Sequence, residues 1–502
     1  MEFETKLNML KEILGEVADL YAVESLLGWD MQTYMPRGGA EVRGYQQATI
    51  GKIAHEKFIS EEVGRLLEEL KLATAEMDPD SDEARLVKVT NRLYEKEVKV
   101  PTEWVMEFAQ VTTAAHQAWG EARAENNFPK FQPFLEKIVD LHKRYAEIFA
   151  PYDHIYDPLL DDFEPGLKTK DVKAIFGALR PQQVELIKAI KERPQVDSSF
   201  LHQPFDEQKQ WEFGVKVISK FGFDWNRGRQ DKSLHPFTTG FGIDDVRITT
   251  RVSPNFLNMA LFGSMHETGH ALYDLGSDHK YERSPLAHGA SLAIHESQSR
   301  MWENLVGRSL PFWEHFYPQL QEFFPAQLGN VALDKFYKGI NRVEPSLIRV
   351  EADEATYNLH IMLRLEIEIA LMEGSLAVKD LPEAWNSRMQ EYLGLTPPDD
   401  AQGVLQDIHW SNGMIGYFST YALGNLVSAQ LWERINRDIP DLPEQIRQGK
   451  FDALLGWLRQ QIHQYGSKFE PQELVQRVTG SKIDPAPYLR YLKEKLGKVY
   501  GL

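Results

Sequence analysis

Apolar residues recur at helical spacing along most of the chain. Leu7, Leu10, Ile13, Leu14 and Val17 form one such stripe near the start, and Leu359, Met362, Leu363, Ile367 and Leu371 form another far downstream. Spacings of three and four place side chains on one face of an α-helix, so the pattern predicts a predominantly helical chain. Breaks between helices are expected at the acidic, proline-containing segments MDPDSDEA (77–84), DPLLDDFEPG (157–166) and TPPDDAQG (396–403), none of them long enough to be a flexible interdomain linker. One stretch departs from the helical period. In LHPFTTGFGIDDVRITTRVSPN (234–255), the run VRITTRV is β-branched and bounded by Gly, Asp and Pro, which predicts a small hairpin or sheet edge. Helical periodicity then resumes in NFLNMALFGSMHETGHALYDLG (255–276), predicting a helix that ends near Gly276. No repeat with a fixed period is visible.

Composition narrows the picture further. The 502 residues, 42% hydrophobic and 26% charged with no low-complexity segment, are those of an ordinary globular protein, long enough for two or three domains of usual size. A formal net charge of −18 argues against nucleic acid or an anionic membrane as the main partner, since both demand a positive surface. The start, MEFETKLNMLKEILGEVADLY, carries acidic residues and no uninterrupted apolar core, unlike a secretory signal. No apolar run is long enough to span a bilayer, and a cytoplasmic location is expected. The chain has no cysteine, which excludes disulfides, thiol nucleophiles and thiolate ligands; any metal must be held by histidines and carboxylates.

The string HETGH (266–270) supplies such ligands. His266 and His270, four apart on a helix, point nitrogens to the same side and can share one ion. In the H-E-x-x-H pattern the intervening Glu267 is the general base for a water molecule. A catalytic zinc site keeps three protein ligands and an open position. The extended arrangement that ends in a third histidine is excluded, because Tyr273 stands where its glycine belongs and Gly276 where that histidine belongs,. Downstream, AHGASLAIHESQSRMWENLVGR (287–308) offers Glu296 on a second helical stretch. A carboxylate in that apolar setting is costly to place inward without a cation, which favours Glu296. Glu303 and His288 compete for the role, and His295 suits a partner that orients a ligand from behind.

Six separated strings agree with one family. HPF (235–237), DVRIT (245–249), HETGH (266–270), HESQS (295–299), IRVEAD (348–353) and GVLQDIHW (403–410) together resemble the signature set of the carboxypeptidase Taq family of metallocarboxypeptidases. The resemblance runs from WDMQTYMPRGGAEVR (29–43) to EPQELVQRVTG (470–480). It implies one catalytic domain over residues 1–502: an all-α fold with a small β-hairpin or sheet beside the active site, its two helical lobes flanking a deep groove as in angiotensin-converting enzyme and the thimet-type oligopeptidases. It also implies a homodimer, and one divalent metal per chain, Zn²⁺ with Co²⁺ as the alternative, on His266, His270 and Glu296, with Glu267 as base.

The implied reaction is removal of the C-terminal residue from peptides with broad specificity. Oxyanion stabilisation falls to His409 and Tyr417, the latter in GYFSTYALGN (416–425), where Ser419 replaces a proline of family members and so bears on the aim of Tyr421, a substrate contact. A carboxypeptidase must hold a free terminal carboxylate, a task suited to the planar fork of arginine. Arg349 in IRVEAD and Arg247 in DVRIT are the candidates, against ordinary ion pairs with Glu351 or Asp353 and with Asp245. His235 is expected near the groove with no assigned role. The rival activity is internal cleavage by an oligopeptidase using the same metal. An aminopeptidase is disfavoured because no G-x-M-E-N string precedes the motif, and a non-enzymatic helical binding protein is the remaining reading.

Overall fold

The computed structural model describes residues 2–502 and is dominated by helices. The N-terminal stripe works as its spacing predicts: Leu7, Leu10, Leu14 and Val17 lie on the buried side of the helix Phe3–Thr33. They pack with Phe58, Val63, Leu66, Leu67 and Leu70 in a core of their own. A much larger core gathers helices from the middle and the end of the chain. At its centre runs Glu354–Glu373, where Leu359, Met362, Leu363, Ile367 and Leu371 are buried, together with Asn358, His360, Arg364 and Glu368. That helix is enclosed all round, so its apolar stripe is only part of what it buries. Among the described residues, no helix is long and apolar enough to cross a membrane.

Two expectations need correction. Segments 77–81 and 396–403 are turns and loops, residues 82–84 already opening the helix Asp82–Lys99, but Asp157–Phe163 is a short helix. Pro158 sits in its first turn, where a missing N–H costs nothing, and Asp157 accepts the Thr169 N–H and hydroxyl, each at 2.7 Å. The β-branched run is also more than a hairpin or an edge. It forms β3 (Asp245–Thr250), the middle strand of a three-stranded sheet, antiparallel to β2 (Thr238–Gly242) and parallel to β1 (Gly228–Lys232). β1 reads GRQDK and shows no apolar alternation; its polar side chains find partners within the fold instead, Gln230 donating to Ser264 Oγ at 2.9 Å and Asp231 accepting from Arg229 at 2.7 Å.

The sheet sits on the helix Leu257–Asp274. Val246 and Ile248 of β3 pack with Ala271 and Leu275, and strand alternation turns Arg247 to the opposite face. Beside it, the helix Leu292–Arg300 begins at Ser291, whose side chain accepts the Ile294 N–H, the usual chemistry of an N-cap. Its first turn is held further by buried Glu164, which accepts the Ala293 N–H at 2.5 Å. The two helices approach so closely at Gly269 that a Cβ there would lie 2.5 Å from Ser299 Cα and 2.6 Å from the Gln298 carbonyl. Backbone on both sides cannot yield, so the steric cost outweighs alanine's better helix propensity. Gly269→Ala is expected to destabilise the fold by about 1–3 kcal/mol, read as a lower urea midpoint at unchanged slope.

Candidate metal centre

His266, Glu267 and His270 stand on Leu257–Asp274 and Glu296 on Leu292–Arg300. Nε2 of His266 lies 3.6 Å from Glu296 Oε2, and Nε2 of His270 lies 3.5 Å from the same oxygen; the three ligand atoms all fall within 4.8 Å of one another. A tetrahedral ion with bonds of about 2.0–2.1 Å spaces its ligand atoms about 3.3 Å apart. The donor set therefore fits a small divalent ion with little movement. The rings are also turned for it. Nδ1 of His266 is 2.9 Å from Glu303 Oε2, and Nδ1 of His270 is 3.1 Å from Nδ1 of His295, whose Nε2 meets Asp274 Oδ1 at 2.9 Å. With Nδ1 occupied in each ring, Nε2 is the nitrogen left to hold an ion.

Of the two rivals to Glu296, Glu303 thus stands behind His266 rather than among the ligand atoms, and His288 lies outside the group; His295 stands behind His270, in the orienting position its sequence context suggested. Glu303 reaches His266 from a π-helical turn, Met301–Val306, that continues Leu292–Arg300; such widened turns re-aim side chains. Arg300 donates from Nε to Glu296 Oε1 at 2.6 Å and from Nη1 to Glu303 Oε2 at 3.2 Å. Burial raises the affinity of both carboxylates for protons, but the Arg300 and His266 contacts prevail, holding Glu303 at about 2 and Glu296 well below the usual range. Both are charged at neutral pH. Glu267, 7% exposed, accepts the Thr238 hydroxyl of β2 on Oε2 at 2.7 Å.

A second group of side chains adjoins the first through Arg300, whose guanidinium lies over the Tyr357 ring at 4.6 Å. Tyr357 accepts from Arg349 Nη1 at 3.1 Å, and Arg349 lies over the Tyr421 ring at 5.2 Å. Tyr421 Oη is 3.4 Å from His409 Nε2, and the Tyr417 and His409 ring centroids are 5.6 Å apart. Four of the sequence candidates, Arg349, His409, Tyr417 and Tyr421, therefore share one cluster. Ser419 is the first residue of the helix Ser419–Asp438, a position where proline is favoured but not required, so the substitution leaves the helix start in place.

The partner of Arg349 is neither Glu351 nor Asp353. It is Asp407, 2.9 Å from Nε, which also binds Arg364 Nε at 2.6 Å. Glutamine and aspartate in QDIHW were the available signal, Gln406 accepting the Arg349 N–H at 2.9 Å. Burial, then the neighbouring charge of Arg349, pushes His409 down to about 4. Its ring is neutral at physiological pH.

Arg247 is not brought to either group. It pairs with Asp245 at 2.9 and 3.0 Å and is sandwiched between Trp29 of the N-terminal helix and Phe241, 4.4 and 4.7 Å from their centroids. His235 is exposed on the β1–β2 connection, its carbonyl accepting from Ser233 at 2.7 Å.

Known proteins resemble this chain over nearly their whole length. The carboxypeptidase Taq (M32) metallopeptidase profile matches residues 9–496. Thermostable carboxypeptidase 1 of Thermus thermophilus is 41% identical, with 98% of each chain covered, and carboxypeptidase 1 of Bacillus subtilis is 35% identical over the whole of both chains. The crystal structure of the M32 carboxypeptidase from Deinococcus radiodurans superposes with a TM-score of 0.97 at 39% identity, covering 99% of this chain and 100% of that one. Coverage of this extent by both sequence and fold places the chain in the carboxypeptidase Taq (M32) metallopeptidase family.

Proposed function

We propose that the protein is a metal-dependent carboxypeptidase that removes C-terminal residues from peptides, with His266, His270 and Glu296 as ligands of one Zn²⁺ ion and Glu267 as general base in an H-E-x-x-H site. Co²⁺ satisfies the same two imidazoles and carboxylate. When bound, the ion supplies Lewis acidity, polarising the scissile carbonyl and acidifying a water. Glu267 takes the proton from that water and passes it to the leaving amine, the Thr238 hydroxyl fixing one of its carboxylate oxygens and leaving the other free. Neutral His409 donates to the developing oxyanion together with Tyr417, and Tyr421 lines the substrate path.

The observation that carries the choice of bond is a charge imbalance. Arg349 and Arg364, both buried, are ion-paired to the same carboxylate, Asp407, and to no other. One negative charge faces two positive ones, and a buried excess charge calls for a counter-ion. A substrate's terminal carboxylate on Arg349 provides it, which favours exopeptidase over internal cleavage. Arg247, on the far face of the sheet, is assigned to holding the N-terminal helix. The reading extends to two helical lobes around one groove, as in angiotensin-converting enzyme, and to a cytoplasmic homodimer; family resemblance and composition support these parts.

Timed mass spectrometry of an unblocked peptide incubated with the Zn²⁺- or Co²⁺-loaded protein tests the activity. Single C-terminal residues are expected as first products, whereas dipeptides or internal fragments at the first turnover would establish the oligopeptidase instead. The ligand assignment has its own test. Glu303→Gln, which weakens the hold on His266, is expected to lower metal affinity about 10–100-fold in competition with a chelator, without removing a ligand.

A further inference from the structure

Behind the His409 and Tyr417 cluster lies a carboxylate that the reaction so far does not use. Glu368, on the central helix Glu354–Glu373, is fully buried, and among the described residues it forms no ion pair. Its two oxygens instead collect three donors from separate parts of the chain. Trp410 Nε1–H donates to Oε1 at 2.8 Å, while the Gly416 N–H at 3.0 Å and the Tyr156 hydroxyl at 2.5 Å donate to Oε2. Trp410 follows His409 in the chain, and Gly416 precedes Tyr417. Each candidate oxyanion donor is thus one residue away from a group fastened to the same carboxylate.

The surroundings make this fastening selective. Gly416 has φ +100°, and a Cβ there would meet the Leu159 carbonyl at 2.4 Å, so the segment entering Ser419–Asp438 is pressed against Asp157–Phe163 on one side and tied to Glu368 on the other. Trp410 is braced edge-on by Trp385, centroid to centroid 5.9 Å. An acceptor with two oxygens is required here: glutamine would have to aim its NH₂ at either the Trp410 or the Gly416 N–H, because both are donors. Burial outweighs these hydrogen bonds and the more distant charge of Arg364 and pushes Glu368 up to about 7, as expected of a buried carboxylate held by hydrogen bonds without a direct ion pair.

We infer that Glu368 is a positioning residue for peptide hydrolysis: by binding Trp410 and Gly416 together, its carboxylate sets the distance between His409 and Tyr417 and aims both at the reacting carbonyl. This rests on the function proposed above. The residue touches no substrate and acts through its neighbours. Since misplacing catalytic groups by about 1 Å costs about 10²-fold, the effect is expected in turnover rather than in substrate or metal binding.

The test compares Glu368→Gln, Trp410→Phe and the double variant with the parent. Glu368→Gln is expected to lower kcat about 10²-fold with KM and bound Zn²⁺ near parental values. Selectively ¹³C-labelled histidine NMR should show the His409 resonance moved and those of His266 and His270 in place. Trp410→Phe alone removes one donor and should cost less. In the double variant the glutamine NH₂ faces a ring instead of an N–H, and kcat should recover above that of Glu368→Gln. Parental kcat in Glu368→Gln, or a loss of activity that merely follows loss of Zn²⁺, would overturn the inference. If Glu368→Gln does not fold, Trp410→Phe decides: an unchanged kcat and His409 resonance would refute it. A parent without carboxypeptidase activity would instead defeat the function proposed above, leaving the NMR comparison to judge Glu368.

Discussion

Replacing Glu267 with glutamine is expected to lower kcat by about 10²–10⁴-fold while the protein keeps its metal. The two effects separate because of where the side chain stands. Glu267 is not among the three residues whose ligand atoms converge, so its loss leaves His266, His270 and Glu296 in position. The glutamine oxygen can still accept from the Thr238 hydroxyl, which preserves the local packing of β2 against the helix. What disappears is a group able to take a proton. Glu296→Gln is the contrasting control: it removes a ligand charge and the partner of Arg300, so Zn²⁺ should be lost along with activity. Metal content by elemental analysis and initial rates on one peptide distinguish the outcomes. Parental rates in a Zn²⁺-loaded Glu267→Gln protein would refute the assigned base and revive the reading of the chain as a non-enzymatic helical binding protein.

Some of this was legible in the sequence because it is local. Residues 266 to 270 fall on one helix, and a helix has one geometry, so the mutual placement of His266 and His270 follows from a spacing of four. Helical periodicity likewise exposed the N-terminal core, where one face is dry and the other wet. The central helix was harder to interpret, since a helix enclosed on every side hides Arg364 and Glu368 among apolar neighbours. β1 was missed because polar side chains such as Gln230 bond tertiary partners, here Ser264, which no alternation records. The same holds for charge. Sequence proximity offered Glu351 and Asp353 as the ordinary ion-pair partners weighed against an anchoring role for Arg349, yet Asp353 caps its own helix, accepting the Ala355 N–H at 2.8 Å. Asp407, 58 residues away in sequence, takes Arg349 instead. Arg247 and Arg349 look alike as motif arginines; only the pleat of β3 and the fold of the chain put them in different surroundings.

That difference can be measured with the substrate as one of the variables. A peptide with a free C-terminus is expected to be hydrolysed with kcat/KM about 30-fold to several thousand-fold above that of its C-terminally amidated twin, since an unpaired member of a desolvated charge pair costs about 2–5 kcal/mol. The surplus positive charge of Arg349 and Arg364 about Asp407 is what the amide fails to neutralise. Arg349→Lys retains the charge but not the planar fork, and Arg364 continues to hold Asp407 at 2.6 Å, so the site should persist with a weaker anchor. The variant should therefore lose activity on the free peptide and much less on the amide, so that discrimination between the two collapses. Arg247→Lys, altering an arginine stacked between Trp29 and Phe241, should leave the ratio of the two rates unchanged even where it lowers both. Equal cleavage of the two peptides by the parent would remove the case for a carboxylate anchor altogether. Discrimination that survives in Arg349→Lys but disappears in Arg247→Lys would transfer the anchor to the sheet.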